Sequence, residues 1–80
     1  MYIVYILKSI NHPLRHYVGI TVSLDERLKE HNRGDSLYTK RYAPWFIETY
    51  VCFRSEVLAQ KFERYLKEGS GHSFLKRHLI

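Results

Sequence analysis

Two tyrosines, an arginine, a histidine and a glutamate stand in this sequence where their side chains can meet. Tyr5 lies within the apolar run "YIVYIL", and Tyr17 comes two positions before Gly19 in "RHYVGIT". Arg27 and His31 are four apart in "SLDERLKEHN", and Glu63 falls between the apolar Ala59, Phe62 and Leu66 of a later segment. A carboxylate, a guanidinium and hydroxyls gathered at one spot suit phosphoryl chemistry. The carboxylate holds a divalent cation, the guanidinium offsets charge on the phosphate, and a tyrosine or histidine positions water. The competing explanation is structural. Strand tyrosines fill cores, Arg27 and Glu63 can form a buried salt bridge, and an arginine can lay its stem on the core while its head reaches water.

The elements that must position these residues follow from patterning. "YIVYILK" (2–8) is apolar at successive positions, as expected for a central strand covered on both faces. Residues 9–15, with Asn11 and Pro13, predict a turn, and "HYVGIT" (16–21) the returning strand, with Gly19 leaving space for close approach. A helix is predicted over 23–32, with Ser23 as N-cap, Glu26 completing a capping box and Gly34 as the stop. Leu24, Arg27, Leu28 and His31 form its inward stripe, leaving Asp25, Glu26, Lys29 and Glu30 toward solvent. Residues 33–44 are polar and basic and predict a long loop, and "WFIETYVCF" (45–53) a third strand with Trp45, Phe46, Ile47 and Phe53 in the core. Ser55 caps a second helix over about 56–68 ended by Gly69, and "HSFLKRHL" (72–79) predicts a short third helix. The order ββαβα(α) specifies an α+β fold, a single layer of helix on a sheet.

Eighty residues make one domain spanning 1–80, and a chain this short buries only about 60% of its unfolded surface. A shallow site that reads a large ligand is therefore expected rather than a deep pocket. Thirteen Lys and Arg against eight Asp and Glu give a net charge of +5, which favours a polyanion through long-range attraction and counterion release. Arg33, Lys40 and Arg41, interleaved with Tyr38 and Tyr42, can follow a nucleic-acid backbone while the rings stack on bases. Lys61, Arg64, Lys67, Lys76 and Arg77 make the C-terminal helices basic, a second candidate phosphate-binding surface. Cys52 is alone, so neither a disulfide framework nor a cysteine zinc site is expected, and His12, His16, His72 and His78 lack zinc-ligand spacing. The N-terminal apolar run ends at Lys8, too early for a signal peptide or a membrane span. A soluble cytoplasmic protein without membrane contact is the expectation.

Taken in order along the chain, the motifs resemble those of the GIY-YIG nuclease superfamily, particularly its small stand-alone bacterial members. "IVY" (3–5) matches the first motif and "YVG" (17–19) the second. Thr21, Leu24, Arg27, Leu28, His31 and Asn32 follow, then "YTKRYAPW" (38–45). Ala59, Glu63, Leu66, Lys67, Gly69, Gly71, Phe74, Leu75 and Lys76 complete the set. Each piece is common by chance; the ordered set over nearly the whole chain is specific. Ile3 departs from the glycine of the first motif, and His72 stands where an arginine often follows the second glycine of the last one.

The resemblance implies a three-stranded antiparallel sheet flanked by helices, and hydrolysis of phosphodiester bonds in DNA with one divalent ion, Mg2+ or Mn2+. Residue by residue, it implies Glu63 as metal ligand, Arg27 on the phosphate, Tyr5 and Tyr17 orienting or deprotonating the attacking water, and His31 as base or phosphate contact. Gly19, Thr21 and Asn32 are implied to support the site; Lys67 and the loop residues Arg33, Tyr38, Lys40 and Arg41 are the candidate nucleic-acid contacts, a merely solvated loop being the alternative for the latter. Which of Tyr5, Tyr17 and His31 accepts the proton stays open, as does RNA beside DNA. Structure-directed cleavage, as in repair or recombination, is expected over sequence specificity, which a partner protein or a second copy would have to supply. The alternative is a non-catalytic nucleic-acid-binding module on the same fold; loss of Arg27 or Glu63 would mark one, and both are present.

Overall fold

Four consecutive side chains of the first strand, Val4, Tyr5, Ile6 and Leu7, are each at most 1% exposed. The strand, β1 (Tyr2–Ser9), is the middle one of a three-stranded antiparallel sheet in the order β2-β1-β3, with β2 at His16–Thr21 and β3 at Trp45–Phe53. The structure, a computed structural model, describes residues 1–80. The remaining elements are α1 (Leu24–Arg33), α2 (Leu37–Arg41), α3 (Glu56–Leu66) and α4 (Gly69–His78). No helix is long and apolar enough to cross a membrane.

Helices cover both faces of the sheet, not one as the patterning suggested. Val4, Ile6 and Val18 pack against Ala59 and Leu66 of α3 and Leu75 of α4. Tyr5, Leu7 and Trp45 pack on the opposite side against Leu24 and Leu28 of α1 and Tyr42 after α2. The reason lies in β1 itself. A strand apolar on both faces would leave Tyr5 and Leu7 in water under a single helical layer, at roughly 1.5–3 kcal/mol for a large apolar side chain.

β3 serves both layers through a bulge. Leu7 pairs with Ile47 and Ile6 with Thr49, so Glu48 has no partner and the strand changes sides there. Trp45 and Ile47 therefore face α1, while Val51 and Phe53, opposite Val4 and Tyr2, face α3. Phe46, expected in the core, is 39% exposed.

Three local expectations change. Residues 33–44 contain α2, whose five residues are too few to show a helical stripe in sequence. Ser23 occupies the N-cap of α1, but its side chain makes no cap bond. Thr21 Oγ1 instead accepts the Ser23 N–H at 3.1 Å and donates to its carbonyl at 3.2 Å. Gly69 opens α4 three residues earlier than predicted. Within that helix, a Cβ on Gly71 would overlap the Tyr65 carbonyl, so glycine is what allows α4 to pack this closely on α3. Elsewhere Ser55 does cap α3, its Oγ accepting the Leu58 N–H at 3.2 Å, and Gly34 ends α1 with a left-handed φ of 90°.

Candidate active site

The strand register puts Tyr5 opposite Gly19 and Leu7 opposite Tyr17, so Tyr5, Gly19 and Tyr17 share the face beneath α1. Gly19 makes this possible. A Cβ there would overlap the Tyr5 hydroxyl and ring, so only a bare backbone lets Tyr5 reach across β2. The helical spacing of Arg27 and His31 brings both onto that hydroxyl. Tyr5 Oη lies 2.8 Å from His31 Nε2, and Arg27 Nε–H donates to it at 3.2 Å. The Tyr17 ring rests 4.8 Å from the His31 ring and 6.2 Å from that of Tyr5.

A residue not singled out from the sequence completes the network. Thr39 of α2, fully buried, has its Oγ1 2.7 Å from His31 Nδ1 and donates to the Ser36 carbonyl at 3.4 Å. One assignment of protons satisfies every atom. Thr39 donates to Ser36, His31 Nδ1–H donates to Thr39, the Tyr5 hydroxyl donates to Nε2, and Arg27 donates to the Tyr5 oxygen. In the other histidine tautomer the buried Tyr5 proton has no acceptor.

The electrostatics agree. Burial pushes the Tyr5 pKa up to about 12, outweighing Arg27, which pulls it down. Burial also lowers the His31 pKa, and the Arg27 charge lowers it further, so the ring is neutral. Glu30 bonds Arg27 Nη1 at 2.9 Å and, with Tyr5, raises the guanidinium pKa, so Arg27 keeps its charge. Glu30, assigned to the solvent side by periodicity, is thus part of the site; its i,i+3 spacing from Arg27 was the available signal. For Thr39 the only signal was its place in the matched segment 38–45, since nothing in the patterning marked α2.

Exposure sorts the cluster. Tyr5 and His31 are 1% and 0% exposed, and both His31 nitrogens are occupied within the protein. The Arg27 side chain is 35% exposed, and only two of its N–H groups have protein acceptors. Tyr17 is half-buried and lines an open groove of about 390 Å³ along the outer edge of β2. Asn32 braces the cluster from behind. It accepts the Trp45 N–H at 2.6 Å and donates to the Trp45 carbonyl at 3.2 Å, while Trp45 Nε1 donates to the Thr39 carbonyl at 2.7 Å.

Glu63 stands apart from this group. It belongs to α3, on the other face, and its Oε2 is 2.9 Å from Lys67 Nζ. Arg27 pairs with Glu30, so the Arg27–Glu63 salt bridge considered from the sequence is not formed. What relates Glu63 to the tyrosines is Lys67, which lines the same groove as Tyr17 and Tyr38. No three His, Cys, Asp or Glu side chains gather as a metal cage. Of the basic residues near α2, Arg33 is paired with Asp35 at 2.7 Å, the Lys40 stem lies beside Gly34, and the Arg41 guanidinium is 5.7 Å from the Tyr42 ring centre. None of these three lines the groove.

Comparison with known proteins agrees with this geometry. The family described as the GIY-YIG catalytic domain matches residues 1–76. A structure-specific endonuclease subunit SLX1 from Candida dubliniensis is 38% identical over 98% of this chain, and the chain spans 28% of that protein's length. The protein of the same name from Malassezia globosa is 33% identical over 79% of the chain, which spans 15% of it. Among solved structures, the UPF0213 protein BH0048 of Bacillus halodurans superposes with a TM-score of 0.56 at 28% identity, covering 95% of this chain and 81% of its own. The chain belongs to the GIY-YIG family of nucleases, which depend in general on a divalent metal.

Proposed function

We propose that residues 1–80 act as a single domain that hydrolyses phosphodiester bonds in DNA at branched, flapped or unpaired structures, with Mg2+ or Mn2+. The carrying observation is Arg27: a charged guanidinium, clamped by Tyr5 and Glu30, partly exposed and with donors to spare. The relatives' description as structure-specific endonuclease subunits supports the substrate class. Their being subunits supports a partner protein, or a second copy of the chain, as the source of finer specificity.

Exposure suggests the division of labour. Arg27 and Tyr17 meet the substrate; Tyr5, His31 and Thr39 position Arg27. When water attacks, its oxygen bonds to phosphorus and the bond to the leaving oxygen breaks; the water's proton passes through solvent to that leaving oxygen, and negative charge builds on the non-bridging oxygens in between. Arg27's unused donors are suited to bear that charge. Of the two tyrosines in the cluster, Tyr17 is the one that borders open space, and it orients the water. Tyr5 is poorly suited to act as base, since its raised pKa keeps it protonated and its O–H stays engaged as a hydrogen-bond donor to His31.

A Mg2+ site commonly uses one or two carboxylates and completes its shell with waters and substrate phosphates. The single half-buried carboxylate of Glu63 fits that pattern, and with an ion bound it would supply Lewis-acid stabilisation of the phosphate. The test is a panel of labelled duplex, single-stranded, flapped and branched DNA, with matching RNA, incubated with Mg2+, Mn2+ or chelator. Metal-dependent cutting near the junction of branched DNA is expected; no cutting of any substrate would overturn the proposal.

A further inference from the structure

Beyond Tyr17 the groove continues. A second cleft of about 520 Å³ shares His16, Tyr38, His72 and Leu75 with the first and extends to Leu14, Arg15, Lys76 and Ile80. Together they form one channel along β2, an edge strand whose outer side faces no other strand. Its ionisable lining is Arg15, His16, Lys67, His72 and Lys76 with the two tyrosines; no carboxylate lines it. Three Lys and Arg side chains thus line the strip and no Asp or Glu does, although Glu63 pairs with Lys67 at its margin.

The channel also has an aromatic wall. The rings of Tyr17 and Tyr38 are 6.1 Å apart and those of Tyr38 and Tyr42 5.5 Å apart, with the Arg15 guanidinium 4.8 Å from the Tyr42 ring centre. Tyr38 is 45% exposed, leaving ring surface uncovered. Cations along a track, with an uncovered ring beside them, are the features by which proteins hold unpaired nucleic acid: phosphates on the charges, a base on the ring. Clefts of 390 and 520 Å³ are too small to enclose a duplex.

We infer that this channel binds the unpaired arm of the substrate, with phosphates on Arg15, Lys67 and Lys76 and a base stacked on Tyr38. The arm enters at the β1–β2 hairpin and reaches Tyr17 at the other end. Resting on the nuclease proposal above, the assignment explains how the domain selects structure: a strand already free of its complement can follow the channel to Tyr17.

The test is fluorescence anisotropy with labelled oligothymidylate and a blunt duplex of equal length over a salt series, alongside cleavage of a flapped DNA by the same preparations. Wild type should bind the single strand more tightly than the duplex. Arg15→Gln with Lys76→Gln should weaken single-strand binding about tenfold and flatten the salt slope by about 1.4, two contacts at about 0.7 each. Tyr38→Ala should weaken it about tenfold with the slope unchanged, and Tyr38→Phe should bind as wild type. If the Lys40→Gln, Arg41→Gln pair costs more than the Arg15, Lys76 pair, the strand crosses α2 instead and the inference fails. It fails also if the channel variants bind oligothymidylate as wild type does. A wild type that binds this way yet cuts nothing would leave the channel standing and overturn the nuclease proposal alone.

Discussion

The Tyr5 hydroxyl lies 2.8 Å from Nε2 of His31, and both side chains are shut off from solvent. A neutral hydrogen-bonded pair thus forms the floor on which the charged Arg27 is held. Two residues that chemistry alone would nominate as bases are occupied with each other.

Thr39 should matter through His31. Thr39→Val keeps the shape but leaves the buried Nδ1–H without an acceptor, at a cost of roughly 1–3 kcal/mol. Thermal melting should show that loss, and Thr39→Ser should recover most of it. A valine variant that melts with wild type would remove Thr39 from the network.

Stability should depend on pH in a defined direction. His31 has a folded pKa below its ordinary value of about 6.5. Between the two values the unfolded chain binds more protons than the folded one, so stability is complete above about pH 6.5 and declines below it. His16, lowered by burial and by Lys8, acts in the same sense. Melting temperatures of His16→Gln between pH 8 and 5 isolate the His31 part. They should still fall toward acid; a flat profile would contradict the burial of a neutral His31.

Gly19→Ala should act on the site through Tyr5. The new methyl group must displace the ring, pulling its hydroxyl from both His31 and Arg27. A destabilisation of about 1–3 kcal/mol is expected, with cleavage lost more completely than DNA binding. Unchanged activity would mean that Tyr5 does not position Arg27.

Much of this was legible in the sequence because single residues carried unambiguous constraints. The unbroken apolar run of β1 specified a central strand, and the i,i+4 spacing of Arg27 and His31 specified a shared helix face. The second helical layer was signalled by the same run, since Tyr5 and Leu7 need their own cover. What escaped had no local signal. The five residues of α2 are too few for periodicity, so Thr39 looked like a loop residue. The bulge at Glu48 leaves the alternation of β3 intact while changing which layer it serves. Glu63 shared a stripe with Ala59 and Leu66, which drew attention from its i,i+4 spacing to Lys67, the partner that meets its charge.

The most direct measurement pairs cleavage of flapped DNA with a melting curve on one preparation of Glu63→Gln. The Glu63–Lys67 pair is a partly exposed i,i+4 contact, worth only about 0.3–0.5 kcal/mol. If Glu63 holds the divalent ion, the variant should melt close to wild type and still bind DNA, yet lose metal-dependent cleavage. A variant that cuts as wild type does would contradict that role for Glu63.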